Sequence, residues 1–281
     1  MVKIAGIEMK NPVMAASGTF GNEYSKLIDI NKLGAVISKS VTLKPKAGNP
    51  PPRICETPAG MLNSIGLQNE GLDAFIKTTI PMFSLFEVPL IVNVAGETIE
   101  EYVHICKQLS KHSTVKGLEL NISCPNVKKG CITFGIDPKA TEKLVKAVRK
   151  STKLPLIVKL TPNVTDITQI AKSSVKGGAD VLSLINTVLG MAIDIKTKKP
   201  KLANITGGLS GPAIKPIAIR MVYQTAQAVK VPIIGVGGIT TVEDAVEFFY
   251  AGASAIQVGT GSFIDAQAII KIIEGLKRYQ I

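Results

Sequence analysis

Residues 117–160 read GLELNISCPNVKKGCITFGIDPKATEKLVKAVRKSTKLPLIVKL, and three pieces of that stretch decide the fold class. Gly117 to Ile122 and Leu156 to Leu160 are short apolar runs, the second β-branched at its centre, and both read as strands. Between them Asp137-Pro138 opens a segment running to Lys150, in which Ala140, Leu144, Ala147 and Val148 fall on one helical face. Strand, helix, strand in that order is a crossover unit, the connection that joins parallel strands.

The alternation continues in both directions. Further candidate strands run over Pro12 to Ala16, Ala35 to Lys39, Leu90 to Val94, Val181 to Ile185, Ile233 to Val236 and Ala255 to Val258, which makes eight in all. Eight is the number that closes a barrel, and an α/β chain folded as a (β/α)8 TIM barrel takes about 250 residues in one unit. The chain has 281 residues, 46% of them hydrophobic, and no linker-like run or short-period repeat divides it, so residues 1–281 are expected to form a single domain. Thr240 or Thr241 opens another helix, with Glu243 and Asp244 in its first turn. Two segments break the repeat: Lys44 to Gly71, rich in Pro and Gly, and Gly190 to Ser210, with Lys198, Lys199, Pro200 and Gly207-Gly208. Each follows a strand, so both are expected at the C-terminal face as extra loops or hairpins covering an active site.

No apolar stretch approaches the roughly 20 residues of a membrane span; the run Leu90 to Ala95 is bounded by Pro89 and Gly96. Met1 to Lys10 is too short and too polar for a signal peptide, so a soluble, cytoplasmic protein without a membrane partner is expected. Cys55, Cys106, Cys124 and Cys131 form no CxxC pair and suit neither a disulfide framework nor a zinc or iron–sulfur site; no metal is expected on this chain. The formal charge of +12 favours anionic ligands, but the lysines are scattered singly, as on a solvated surface, and nucleic acid is not expected as a partner.

The segment richest in chemistry is Asn121-Ile122-Ser123-Cys124-Pro125-Asn126, at the end of the fourth strand. It sets a thiol between carboxamides where strand ends point reactive groups at a barrel mouth, so Cys124 is a candidate base or nucleophile; the competing reading is a buried structural thiol. Carboxamides at a strand end make poor core residues unless they bind something. Val127 to Gly135, containing Gly130 and Gly135, has the composition of a lid. Lys159 is a charge inside an otherwise apolar fifth strand, where an unpartnered ammonium is costly, so it should face an anion at the mouth. Gly235-Val236-Gly237-Gly238 and Gly259-Thr260-Gly261 end the seventh and eighth strands, where glycines let backbone N–H groups approach a phosphate at a helix N-terminus. His104 and His112 read as surface residues, Cys55 and Cys106 as packing residues.

Together with the rest of the chain, these residues closely resemble the dihydroorotate dehydrogenases of cytosolic class 1. The resemblance spans nearly the whole sequence: Asn11-Pro12 and Ala15 to Gly18, Lys39, Gly48-Asn49-Pro50 through Arg53, Asn63 to Leu67, Asn93, Asn121 to Asn126, Lys159, Asn186-Thr187, Ser210-Gly211-Pro212, Gly237-Gly238 and Gly259-Thr260. It implies oxidation of (S)-dihydroorotate to orotate in pyrimidine (UMP) biosynthesis, with Cys124 taking the C5 proton and N5 of one FMN per chain taking the C6 hydride. By the same resemblance Lys39 contacts flavin and substrate, and Lys159 lies near flavin N1 and O2. Lys39, Asn63, Ser64, Ile65, Gly66, Leu67, Asn121, Asn186 and Thr187 are implied to line the substrate, the carboxamides offering a pyrimidine both donor and acceptor. Ser17, Lys39, Ser40, Asn93, Asn121, Lys159, Ile185, Gly211, Gly237, Gly238, Gly259 and Thr260 are implied to hold FMN.

The cysteine base separates the chain from class 2, which uses serine. Val127-Lys128 with Gly130, Ile185 to Thr187 and Leu209 to Arg220 look like subclass 1B, which implies a homodimer of this chain joined in a heterotetramer by a subunit carrying FAD and a 2Fe–2S cluster and passing electrons to NAD. Cys131 stands where relatives often have glycine, a departure inside the lid. Three alternatives stay open at this point: fumarate as oxidant, as in subclass 1A; an FMN-dependent dihydrouridine synthase, against which stands the end of the chain at Ile281, directly after the eighth helix; and a barrel without catalysis, against which stand the intact Cys124, Lys39 and Lys159.

Overall fold

The computed structural model describes residues 1–19, 21–123 and 134–281. Eight parallel strands close into a barrel in which each pairs with its neighbours in chain order and the eighth returns to the first. They are Val13–Ala15, Ala35–Ile37, Leu90–Val94, Val115–Asn121, Leu156–Leu160, Val181–Leu184, Ile233–Val236 and Ala255–Val258. The third, fifth, seventh and eighth match the sequence reading residue for residue.

The other four differ at their ends, for local reasons. The fourth strand begins two residues earlier than expected because its register against the third shifts: Leu90 pairs with Val115 but Ile91 with Gly117. It stops before Ile122 because the Asn121 side chain accepts the Ser123 N–H at 3.3 Å, a side-chain turn that replaces the ladder. The second strand ends at Ile37 rather than Lys39, where the Ser38 hydroxyl bonds the Lys39 carbonyl and accepts the Asn93 N–H. The helix Pro138–Ser151 is capped as its sequence indicates, Asp137 accepting the Ala140 N–H at 2.6 Å, but it buries Thr141, Leu144, Val145 and Val148, with Ala140 and Ala147 at the margin.

Alternation along each strand divides the apolar residues in two. Leu90, Val92, Leu118, Leu120, Val158, Leu182, Ile256 and their equivalents face the helices and form the large outer core. Met14, Ala35, Ile37, Ile91, Ile157, Val181, Ile234 and Ala255 form a separate inner cluster, closed from below by Ile4, Ile7 and Met9. Those last three come from an N-terminal hairpin, Val2–Ile4 paired with Ile7–Met9 and turned by Ala5 and Gly6 at positive φ. A side chain at Gly117 would meet Ile7 Cδ1 at 2.9 Å, so this glycine lets the hairpin seal the barrel floor.

The two segments that break the repeat pair with each other. Ile54–Thr57, Gly60–Asn63, Thr206–Ser210 and Val188–Met191 make one antiparallel sheet, with Gly208 opposite Asn63 and Leu209 opposite both Leu62 and Val188. Both segments leave the C-terminal ends of barrel strands, so the sheet covers that face.

Candidate functional site at the C-terminal mouth

Two residues above the inner apolar cluster the barrel lining turns polar. Along the third strand Ile91 gives way to Asn93, along the fifth Ile157 to Lys159, along the sixth Val181 to Ser183 and along the eighth Ala255 to Gln257; on the fourth, Gly117 is followed by Glu119 and Asn121. These groups bond to one another. Glu119 Oε1 accepts from Asn93 Nδ2 at 2.7 Å, and its Oε2 from Ser183 Oγ at 2.9 Å and Gln257 Nε2 at 2.7 Å. Lys159, only 5% exposed, holds its Nζ 3.2 Å from Ser17 Oγ and 3.8 Å from Glu119 Oε1. Asn93 Oδ1 accepts from Ser40 Oγ at 2.5 Å, and Asn121 Nδ2 reaches the same hydroxyl at 3.5 Å. Asn186 Nδ2 donates to Asn121 Oδ1 at 3.3 Å, and the Thr187 N–H returns to Asn186 Oδ1 at 2.8 Å.

The cover is fastened over this layer. Asn63 Nδ2 donates to the Gly208 carbonyl at 3.3 Å, and Asn49 Nδ2 donates to both the carbonyl and hydroxyl of Ser64. Gly66, at φ +74°, lies against Asn49 so closely that an added Cβ would come within 2.7 Å of it. Arg53 ties the base of this loop through the carbonyls of Asn49 and Ala47 and through Gln68 Oε1. Lys39 stands exposed between buried Ser38 and Ser40 and makes no ion pair among the described residues.

At the far side of the mouth the loops after the sixth, seventh and eighth strands crowd together. Gly211, Gly237 and Gly238 all have positive φ, and a Cβ on Gly238 would lie 2.9 Å from the Gly211 carbonyl oxygen. A Cβ on Gly259 would meet Ala16 and Thr19 only at ordinary distances, and Thr260 Oγ1 donates to Ser210 Oγ at 2.8 Å. The helix Val242–Tyr250 opens on a carboxylate: Asp244 accepts the N–H groups of Thr240 and Thr241, the latter in a capping box, and pairs with Lys215 at 2.7 Å. Burial works to raise the Asp244 pKa, but the Lys215 ammonium and the Thr240 and Thr241 donors outweigh it and hold the carboxyl at about 2.

A family model for dihydroorotate dehydrogenase matches residues 1–279. The chain belongs to the dihydroorotate dehydrogenase family. It is 58% identical over 280 residues to the protein of Geotalea uraniireducens (strain Rf4) named dihydroorotate dehydrogenase B (NAD(+)), catalytic subunit, covering 99% of this chain and 92% of the relative. Proteins of the same name are 61% identical over 280 residues in Alkaliphilus metalliredigens (strain QYMF), with 99% and 92% covered, and 55% identical over 282 residues in Thermoanaerobacter sp. (strain X514), with 100% and 93% covered.

For a dihydroorotate dehydrogenase family member, the mouth gathers most of the residues expected from the sequence: Ser40, Asn93, Asn121, Asn186 and Thr187 in one hydrogen-bonded set, Lys159 and Ser17 in a second joined to it through the Lys159–Glu119 ion pair, Asn63 to Leu67 on the cover, and Gly211, Gly237, Gly238, Gly259 and Thr260 at the glycine corner. Ile185 is buried beside them, its N–H on the Val236 carbonyl. Cys124 lies outside the described residues, as do Cys131 and all of the expected lid except Phe134 and Gly135. The sequence reading missed Glu119, Ser183 and Gln257, and also Asn163, whose side chain accepts the Leu189 N–H and donates to the Thr187 carbonyl. The signal was there: Glu119 is a charge inside an apolar strand, as Lys159 is, and Asn163 is a carboxamide at a strand end, as Asn121 is. Cys106 is a packing residue, its thiol pushed up by complete burial. No described helix is long and apolar enough to cross a membrane.

Proposed function

We propose that this chain is the catalytic subunit of an FMN-dependent, NAD-linked dihydroorotate dehydrogenase that oxidises dihydroorotate to orotate in the cytoplasm, in pyrimidine biosynthesis. The observation that carries the reading is the buried Lys159: among the described residues its ammonium has one hydrogen bond, to Ser17, and a carboxylate beyond hydrogen-bonding distance, which leaves donors for an acceptor at the mouth. The residues fit a flavin mononucleotide. Lys159, Asn93 and Asn121 have N–H donors left over for a ring with carbonyls and nitrogens, and the positive-φ glycines give a phosphate close access to backbone. FMN bound there supplies a two-electron acceptor.

The chain's own groups do the rest. Asn63, Asn121, Asn186 and Thr187 bind the pyrimidine, and Lys39, exposed at the rim, supplies a cation for the substrate carboxylate. Cys124, three residues past Asn121, takes the C5 proton. The relatives' name, with its NAD(+) and its catalytic subunit, supports a second subunit and NAD as acceptor; the FAD and 2Fe–2S cluster of that subunit rest on the resemblance to subclass 1B. A homodimer within that assembly is supported by Leu189, Met191, Ile193 and Ile195, all exposed on the cover.

The purified chain should be yellow, and anaerobic dihydroorotate should bleach its flavin band. NAD should be reduced only when the co-purifying subunit is added; NAD reduction by this chain alone would contradict the assignment of NAD to the partner, and a colourless chain that takes up no FMN would contradict the whole reading.

A further inference from the structure

Glu119 is fully buried in the middle of the barrel and takes no part in the chemistry above. Three donors from three different strands converge on its two oxygens: the Asn93 amide, the Gln257 amide and the Ser183 hydroxyl. All three of these contacts are made by Glu119 as acceptor. A buried carboxylate needs a compensating charge, and Lys159 is the one cation within 4 Å of it among the described residues. Their separation of 3.8 Å couples the charges while leaving the ammonium's donors pointed elsewhere.

Resting on the flavin reading of the mouth, we infer that Glu119 is a positioning residue that sets the reduction potential of the bound flavin. It accepts a hydrogen bond from Asn93 and lies 3.8 Å from Lys159, and its negative charge offsets part of the ammonium's pull on the electron-rich reduced ring. Removing that charge leaves the ammonium unopposed, which favours the reduced flavin.

The test is Glu119→Gln, which keeps size and shape. The fold can accept it, because Gln257 Oε1 is buried without a partner among the described residues and can turn to receive the new amide N–H. The midpoint potential of the bound flavin, measured by anaerobic redox titration, should rise by about 30 mV or more, at least tenfold in the two-electron equilibrium. An unmoved or lowered potential at full flavin content would reduce Glu119 to a structural hub and overturn the inference. If Glu119→Gln gives no folded protein, Gln257→Leu withdraws one hydrogen bond from the same carboxylate, concentrating its charge. The potential should then fall, and a potential equal to that of the unmodified chain would overturn the inference. Unmodified protein that binds no flavin would sink the functional reading, and this inference with it; unmodified protein with flavin and an insensitive variant would sink this inference alone.

Discussion

The two halves of the barrel interior are built from the same strands, two residues apart, and they do opposite things. The lower half, Met14, Ile37, Ile91, Ile157, Val181 and Ile234 under the hairpin residues Ile4, Ile7 and Met9, is hydrocarbon throughout and has only to be full. The upper half, Asn93, Glu119, Asn121, Lys159, Ser183 and Gln257, is polar, fully or largely buried, and bonded to itself. A barrel of this size needs no buried charge for stability; a carboxylate and an ammonium placed in it cost desolvation that pairing only offsets. The contrast teaches that stability is concentrated at the N-terminal end, and that the C-terminal end spends some of it on recognition.

Four substitutions break or sharpen that contrast. Cys124→Ser should have the largest effect on turnover: FMN stays bound, while dihydroorotate oxidation at neutral pH falls by roughly 10²- to 10⁴-fold, the range for loss of a general base. Steady-state rates across pH check it, and unchanged rates in the serine variant would remove Cys124 from the chemistry. Lys159→Leu carries the lower half's character into the upper. It should cost about 10²- to 10³-fold in rate and, by leaving Glu119 buried without its cation, about 3–5 kcal/mol of stability in chemical denaturation. Full activity in this variant would mean that the polar layer is scaffolding. Ile7→Ala opens the floor instead. It should cost about 2–4 kcal/mol in the same assay and leave the catalytic rate constant within about twofold, since it touches no group of the mouth.

The smallest change concerns the glycine corner. Asp244→Asn loses the charge of the capping box and should cost about 1 kcal/mol at neutral pH. The folded pKa of Asp244, about 2, lies below its ordinary value of 3.8, so its contribution is complete above roughly pH 4 and is lost as pH falls toward 2. Stability of the unmodified chain and the variant should therefore converge over that interval, and a constant gap down to pH 2 would assign the effect to shape rather than charge.

Much of this was legible in the sequence, because a parallel strand inside a barrel is a local object: a short apolar run between a helix end and a loop. Leu90–Val94 and Leu156–Leu160 could be read to the residue for that reason. The N-terminal hairpin escaped because Val2 to Met9 alternates polar and apolar over three-residue strands, too short to stand out until the open barrel floor is seen. The cover itself was expected over this face, but its joining into one sheet was not, because Asn63 pairs with Gly208, a contact between segments that no local pattern links. Glu119 carried the same signal as Lys159, but a carboxylate facing inward has no obvious ligand until its three donors are seen around it. Lys39, Asn63 and Asn186 entered the expected site through the resemblance, since a single asparagine at a strand end reads equally well as a turn.

The most direct test is a crystal structure of the chain with FMN and orotate bound. Lys159 Nζ should lie within hydrogen-bonding distance of the flavin ring, above the polar layer, with orotate between that ring and Cys124 Sγ. A flavin seated elsewhere, or a Cys124 side chain buried in hydrocarbon away from the pyrimidine, would contradict it.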